Sequence, residues 1–186
     1  MDRWTELALA GRDGDRAALE EFVRSSQATV QQLCRHLGDP ETAEDLTQEV
    51  YYRALRSLPR FREDGTARSW LLAIARNTCA DMTRKRIRGR NRLSPAPPPE
   101  RAESAENWTE ELDLLDGLSQ DRREAFVLTQ LLGLPYAETA EVLGCPVGTV
   151  RSRVARARRD LLDALALETQ DPPELRGDGV AGSKSG

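Results

Sequence analysis

The stretch PYAETAEVLGCPVGTVRSRVARARRDLLDAL, residues 135–165, decides how the rest of the chain is read. Pro135 to Leu143 predicts a short helix, Gly144-Cys145-Pro146 a turn, and Val147 to about Leu167 a longer helix. On the longer helix Val150, Val154, Ala157, Leu161 and Leu165 recur at steps of three and four, so they share one inward face. Thr149, Ser152, Arg153 and Arg156 then point outward. A short helix, a Gly-containing turn and a longer helix with cations near its start make a helix-turn-helix. In that motif the second helix enters the major groove, where arginine's planar fork can donate twice to one guanine. No acid interrupts Val147 to Arg159, which argues against an ordinary solvated face.

Upstream of this motif, Ser119 is placed to cap a helix from Asp121 to Leu132 that stops at Gly133, and Trp108 to Leu115 reads as a short helix. In Ser94-Pro95-Ala96-Pro97-Pro98-Pro99 the prolines remove backbone donors and hold φ near the polyproline value, so the stretch reads as linker. Before the linker, Leu19, Phe22, Val23, Val30, Leu33 and Leu37 give an amphipathic helix over Asp15 to Leu37, stopped by Gly38. Asp39 and Pro40 start a second helix, built on Ala43, Leu46, Val50, Ala54 and Leu58 and ended by Pro59. Phe61 to Thr66 reads as a loop. Ala67 to about Arg88 is a third helix built on Trp70, Leu71, Ile74, Thr78 and Met82, with Trp70 assigned to the core. No run alternates with period two. The expected fold is all-α: two small helical domains, residues 1–92 and 108–167, joined by a Pro-rich flexible linker at 93–107, with a disordered tail at 168–186.

Composition agrees with two modest cores. The 186 residues are 39% hydrophobic and only 5% aromatic, which suits two small aliphatic cores better than one large one. The net charge of −4 would disfavour nucleic acid, but the charge is sorted by position. Arg84, Lys85, Arg86, Arg88, Arg90 and Arg92 form one basic cluster, Arg151 to Arg159 a second, and Glu100 to Asp121 between them is acidic. Alone, the first cluster fits a solvated helix end as well as it fits a phosphate-binding surface. Two tethered basic surfaces together suit simultaneous contact with separate stretches of one nucleic acid. Asp39, Glu41, Glu44, Asp45 and Glu49, with no base before Arg53, would repel DNA and suit a basic protein. Cys34, Cys79 and Cys145 form no disulfide framework and read as packing. His36 is too isolated for a metal site and reads as a helix-surface residue. No metal, cofactor or catalytic activity is expected, and no leader or membrane-spanning stretch is seen, so the expected location is cytoplasmic.

Four segments in order, Asp45-Leu46-Thr47-Gln48-Glu49, Pro59-Arg60-Phe61, Ser69 to Asn77 and Gly144 to Arg153, resemble bacterial extracytoplasmic-function (ECF) sigma factors. The resemblance implies a region 2 and a region 4 that bind core RNA polymerase and read the minus-10 and minus-35 promoter elements. By it, Asp45, Leu46, Gln48 and Glu49 would contact the β′ coiled coil, and region 4 the β flap. The loop Phe61, Arg62, Asp64, Gly65, Thr66 and Ala67 would capture a base flipped from the non-template strand, with Asn77 reading a base edge. Arg84, Lys85, Arg86 and Arg88 would hold phosphates near the melted DNA. Thr149, Arg151, Ser152, Arg153, Ala155 and Arg156 would lie at the minus-35 element, and an anti-sigma factor would be a further partner. A free-standing helix-turn-helix regulator and a helical adaptor for acidic proteins are the rival readings. Neither requires the Asp45 to Glu49 motif.

Overall fold

The computed structural model describes residues 2–62, 65–90 and 114–168, and among them there are helices and no strand. The first domain holds α1 (Arg3–Arg12), α2 (Arg16–Leu37), α3 (Ala43–Ser57) and α4 (Ala67–Arg90). The second holds α5 (Gln120–Phe126), α6 (Tyr136–Leu143) and α7 (Val147–Glu168). The expected linker and tail, and most of the helix expected from Trp108, lie outside the described residues.

Local chemistry places the helix ends. Asp15 caps α2 by accepting from the Ala18 amide at 3.0 Å, and Thr66 caps α4 by accepting from the Ser69 amide at 3.0 Å. Asp39 accepts from the Glu41 amide, but Pro40 opens a single 3-10 turn, Pro40–Thr42, before α3 proper begins. A Cβ on Gly38 would lie 2.7 Å from the Cys34 carbonyl oxygen as well as 2.4 Å from Leu46 Cδ1, so any other residue would force the end of α2 to shift. Gly144 ends α6 at φ +62, where a side chain would be strained, and so sets the helix-turn-helix turn. Between α5 and that turn, Val127–Leu131 forms a π-helical turn closed by the Leu132 amide on the Val127 carbonyl.

Helix α1 is absent from the sequence reading. Asp2 caps it, accepting from the Trp4 and Thr5 amides, and the Trp4 ring meets Phe22 edge-on at 6.3 Å. Thr5 Oγ1 accepts from the Ala67 amide at 2.8 Å, so α1 also satisfies the start of α4. On α2, Phe22, Val30 and Leu33 are buried as expected, together with Ser26, which bonds both the Phe22 carbonyl and the Tyr51 hydroxyl. Three expectations about burial are corrected. His36 is buried rather than on the surface, while Met82 and Leu165, assigned to inward stripes, are exposed.

The two domains touch, and their buried apolar residues form one continuous cluster instead of two separate cores. Polar contacts cross the same boundary. Arg76 Nε donates to Glu124 Oε2 at 2.8 Å, and within α5 Gln120 Nε2 donates to the other oxygen, Oε1, at 2.9 Å. Arg123 Nε donates to the His36 carbonyl at 2.6 Å, and Arg68 Nη2 to the Leu132 carbonyl at 3.2 Å. Glu124 is buried, so the closed arrangement depends on Arg76 for its counter-charge. Removing one partner of a buried pair costs about 3–5 kcal/mol if the other stays buried. Separating the domains would rehydrate Glu124 instead. We predict that Arg76→Ala raises the radius of gyration in small-angle X-ray scattering while helix content is kept; an unchanged radius would show that Arg76 is not what closes the molecule.

Candidate polymerase and nucleic-acid interfaces

Helix α3 divides its residues sharply. Ala43, Leu46, Thr47, Val50 and Ala54 face the core, and Asp45 and Gln48 are exposed, with Glu49 half-buried beside them. Leu46 is therefore removed from the polymerase-facing set, because it packs against the end of α2 and is only 3% exposed. The outward stripe continues through two residues the sequence reading did not single out, Tyr52 and Leu55, which are 58% and 43% exposed. Their signal was present: Asp45, Gln48, Tyr52 and Leu55 follow steps of three, four and three off the inward stripe. Arg56 lies over the Tyr52 ring at 5.5 Å and donates to its hydroxyl at 3.2 Å. An acidic start and an apolar, aromatic end on one exposed helix face form a surface suited to a basic helical partner.

Helix α4 carries the second surface. Asn77, Arg84, Lys85 and Arg88 are exposed, and Asn77, Arg84 and Arg88 follow steps of seven and four along one side. The helix side chain of Arg86 and the whole of Asp64 lie outside what is described. In the preceding loop Arg62 and Gly65 are exposed, whereas Thr66 is half-buried and bonds Ser69 as well as capping α4. Two residues expected in the base-capturing loop are corrected. Phe61 is buried with its ring 4.9 Å from that of Trp70, and Ala67 is wholly buried under α1. They hold the loop's ends; Arg62, Gly65 and Asn77 are the groups on the surface. Asn77 also borders the domain contact, its Oδ1 lying 3.4 Å from Arg76 Nη1.

Helix α7 carries the third. Val150, Val154 and Ala157 are buried and Leu161 is half-buried against α5 and α6, as the inward stripe requires. Arg151, Ser152, Ala155 and Arg156 are exposed, and Arg159 extends the same surface. Thr149 is half-buried, and its carbonyl accepts from Ser152 Oγ. Arg153 is corrected: it donates to Asp121 Oδ2 at 2.5 Å and reaches Cys145 Sγ at 3.7 Å, fastening α7 to α5. Arg122 with Asp160, and Arg158 with Gln130, do the same work further along.

Cys34 and Cys79 are buried, whereas Cys145 is half-buried in the turn beside Arg153. Cys34 and Cys79 are buried side by side between α2 and α4, and the hydrogen-bonded Cys34 thiol together with burial pushes the Cys79 thiol up, keeping it protonated. Among the described residues no cluster of three or more His, Cys, Asp or Glu could hold a metal ion. Likewise, no helix among them is long and apolar enough to cross a membrane.

Comparison with known proteins identifies both helical regions. Residues 22–89 match the family model for Sigma-70 region 2, and residues 110–161 the model for Sigma-70, region 4. The ECF RNA polymerase sigma factor SigC of Mycobacterium tuberculosis is 45% identical over 180 residues, covering 93% of this chain and 94% of SigC. The ECF sigma factor SigE of Mycolicibacterium smegmatis is 36% identical over 184 residues, covering 91% and 71%. Among solved structures, CnrH in complex with the cytosolic domain of CnrY superposes with a TM-score of 0.73 at 27% identity, covering 90% of this chain and 99% of CnrH. The sigma factor RpoE bound to the anti-sigma factor NepR from Bartonella quintana gives 0.68 at 28%, covering 81% and 98%. With both regions matched and near-complete coverage by such relatives, the chain belongs to the ECF sigma factors of RNA polymerase.

Proposed function

We propose that this chain joins core RNA polymerase in the cytoplasm and directs it to promoters, reading the minus-35 element with α7 and nucleating melting at minus-10 with α4 and its preceding loop. The observation that carries this reading is the separation of three exposed surfaces by chemistry. An acidic and aromatic face on α3 suits a protein; basic faces on α4 and α7 suit DNA. Asp45, Gln48 and Glu49, extended by Tyr52 and Leu55, engage the β′ coiled coil, and region 4 engages the β flap. Arg151, Ser152, Ala155 and Arg156 meet the minus-35 bases, Ala155 by close approach or contact with a base methyl group. Arg84, Lys85 and Arg88 take phosphates. Asn77, which offers both a donor and an acceptor, rewards one extruded base and so makes melting depend on sequence. Catalysis belongs to the polymerase. CnrH and RpoE, each solved with a protein bound, support an anti-sigma factor as a further partner here.

Promoter reading requires the closed molecule to open. Elements about 25 base pairs apart are separated by roughly 85 Å of duplex at about 3.4 Å per pair. A compact chain of this length has a radius of gyration of about 16 Å, roughly 40 Å across, and cannot bridge them. Fully extended, the segment 93–107 reaches at most about 50 Å, which with the two domains at its ends spans the gap. The Arg76–Glu124 contact must then break on the promoter, where it lies next to Asn77.

Reconstitution with core polymerase and a promoter library tests the proposal: transcripts from selected promoters are expected, and none above core alone would refute it. Asn77→Ala should impair opening, read by permanganate footprinting, without weakening duplex binding by region 4; normal opening would remove Asn77 from the site. Arg156→Ala should lower discrimination among minus-35 sequences by about 1–3 kcal/mol. Arg153→Ala should instead lower thermal stability by up to ~1 kcal/mol with base preference unchanged, because its partner is Asp121. A shifted base preference would return Arg153 to the DNA surface.

A further inference from the structure

One set of side chains joins the polymerase-facing helix to the DNA-facing one. Glu49 Oε1 accepts from Arg53 Nε at 2.6 Å, Arg53 Nη1 donates to Asp81 Oδ2 at 2.9 Å, and Asp81 Oδ1 accepts from Arg84 Nη2 at 2.7 Å. The chain of bonds thus runs from α3 to α4, with charges alternating minus, plus, minus, plus. Glu49 belongs to the polymerase surface and Arg84 to the phosphate surface; Arg53 and Asp81 belong to neither and connect them. The Arg53 and Arg84 guanidiniums hold Asp81's carboxyl below the usual carboxylate range, so it is ionised at neutral pH.

We propose that Arg53 and Asp81 are positioning residues that couple docking of polymerase on α3 to release of Arg84 for a DNA phosphate. In the free chain the four charges cancel, and Arg84 is occupied by Asp81. When a basic polymerase surface takes Glu49, Arg53 loses one carboxylate and draws the other closer. Asp81 shifts its hold toward Arg53, and Arg84 is left with a charge that a phosphate can satisfy. The members are one-third to two-thirds exposed, so each bond is weak enough for a phosphate or a partner to compete with it. The same weakness limits the coupling to a few-fold. Linkage makes it reciprocal: DNA on Arg84 tightens the hold on polymerase by the same factor.

This inference rests on the proposed function, and the experiment separates the two. Binding of a fluorescein-labelled single-stranded oligonucleotide is followed by anisotropy for the free chain and for its complex with core polymerase, with core alone subtracted. Asp81→Asn should raise the free chain's affinity about threefold, the scale of one exposed ion pair, and leave the complex unchanged, where Arg84 is already released. Adding Arg84→Gln should abolish the gain. Arg53→Gln leaves Asp81 to Arg84 alone, so the free chain's affinity should not rise, and the rise that polymerase confers should be lost. An equal gain for Asp81→Asn in both states, or a gain that survives Arg84→Gln, would mean simple loss of a negative charge and would overturn the relay. If the unsubstituted chain does not join core polymerase at all, the proposed function fails and the relay falls with it.

Discussion

A carboxylate removed from water must find its counter-charge within the protein, and Glu124 finds it in the other domain. Arg76 satisfies one of its oxygens and Gln120, on the same helix, the other, so the charge of this buried carboxylate is balanced only while the domains touch. An apolar residue there would have made the contact permanent at no electrostatic cost. A charged pair makes this part of the contact conditional, since separation exchanges the ion pair for hydration, while the apolar surface of the shared cluster still favours closure. The backbone bonds from Arg123 to His36 and from Arg68 to Leu132 have the same property, because water can replace either donor.

That boundary explains much of what could and could not be read from sequence. Helices α2, α3, α4 and α7 were legible because their apolar spacing is set by the helix itself, and Asp15, Gly38 and Gly144 mark ends by local geometry. Helix α1 escaped because its ten residues are too few for a repeating apolar stripe; it is made by the Asp2 cap and by Trp4 packing on Phe22. His36 escaped because the element that covers it lies 87 residues away, at Arg123. No periodicity within α2 announces a lid from the second domain.

The candidate sites failed and succeeded by the same logic. Motif resemblance brings along residues that a family keeps for packing as well as those it keeps for contact. Leu46, Phe61 and Ala67 are of the first kind, each buried beneath the surface its neighbours form. Periodicity alone would have classed Leu46 correctly, since it lies on the inward stripe with Val50 and Ala54. Arg153 is subtler. A helical wheel assigns it outward, and it does leave the core, but Asp121 on α5 waits for it there. A wheel describes one helix, and an ion pair needs two.

Arginine pairing gives the more general distinction. Arg153 and Arg158 on α7 are held by Asp121 of α5 and Gln130 of the π-helical turn, and Arg122 of α5 is held by Asp160 of α7, so the three knit the second domain together. Arg151, Arg156 and Arg159 are exposed and form no ion pair with any described residue. An acidic partner within the chain would screen them from phosphate, so their bareness is what a polyanion requires. On α4 the division is incomplete, for Arg84 is both exposed and paired. A chain with net charge −4 can approach DNA only if its cations are uncovered in the right place, and in the right state. Asp81 is shared between Arg53 and Arg84, and in the proposed relay this lets one carboxylate cover Arg84 in isolation and, drawn toward Arg53, uncover it in the assembled machine.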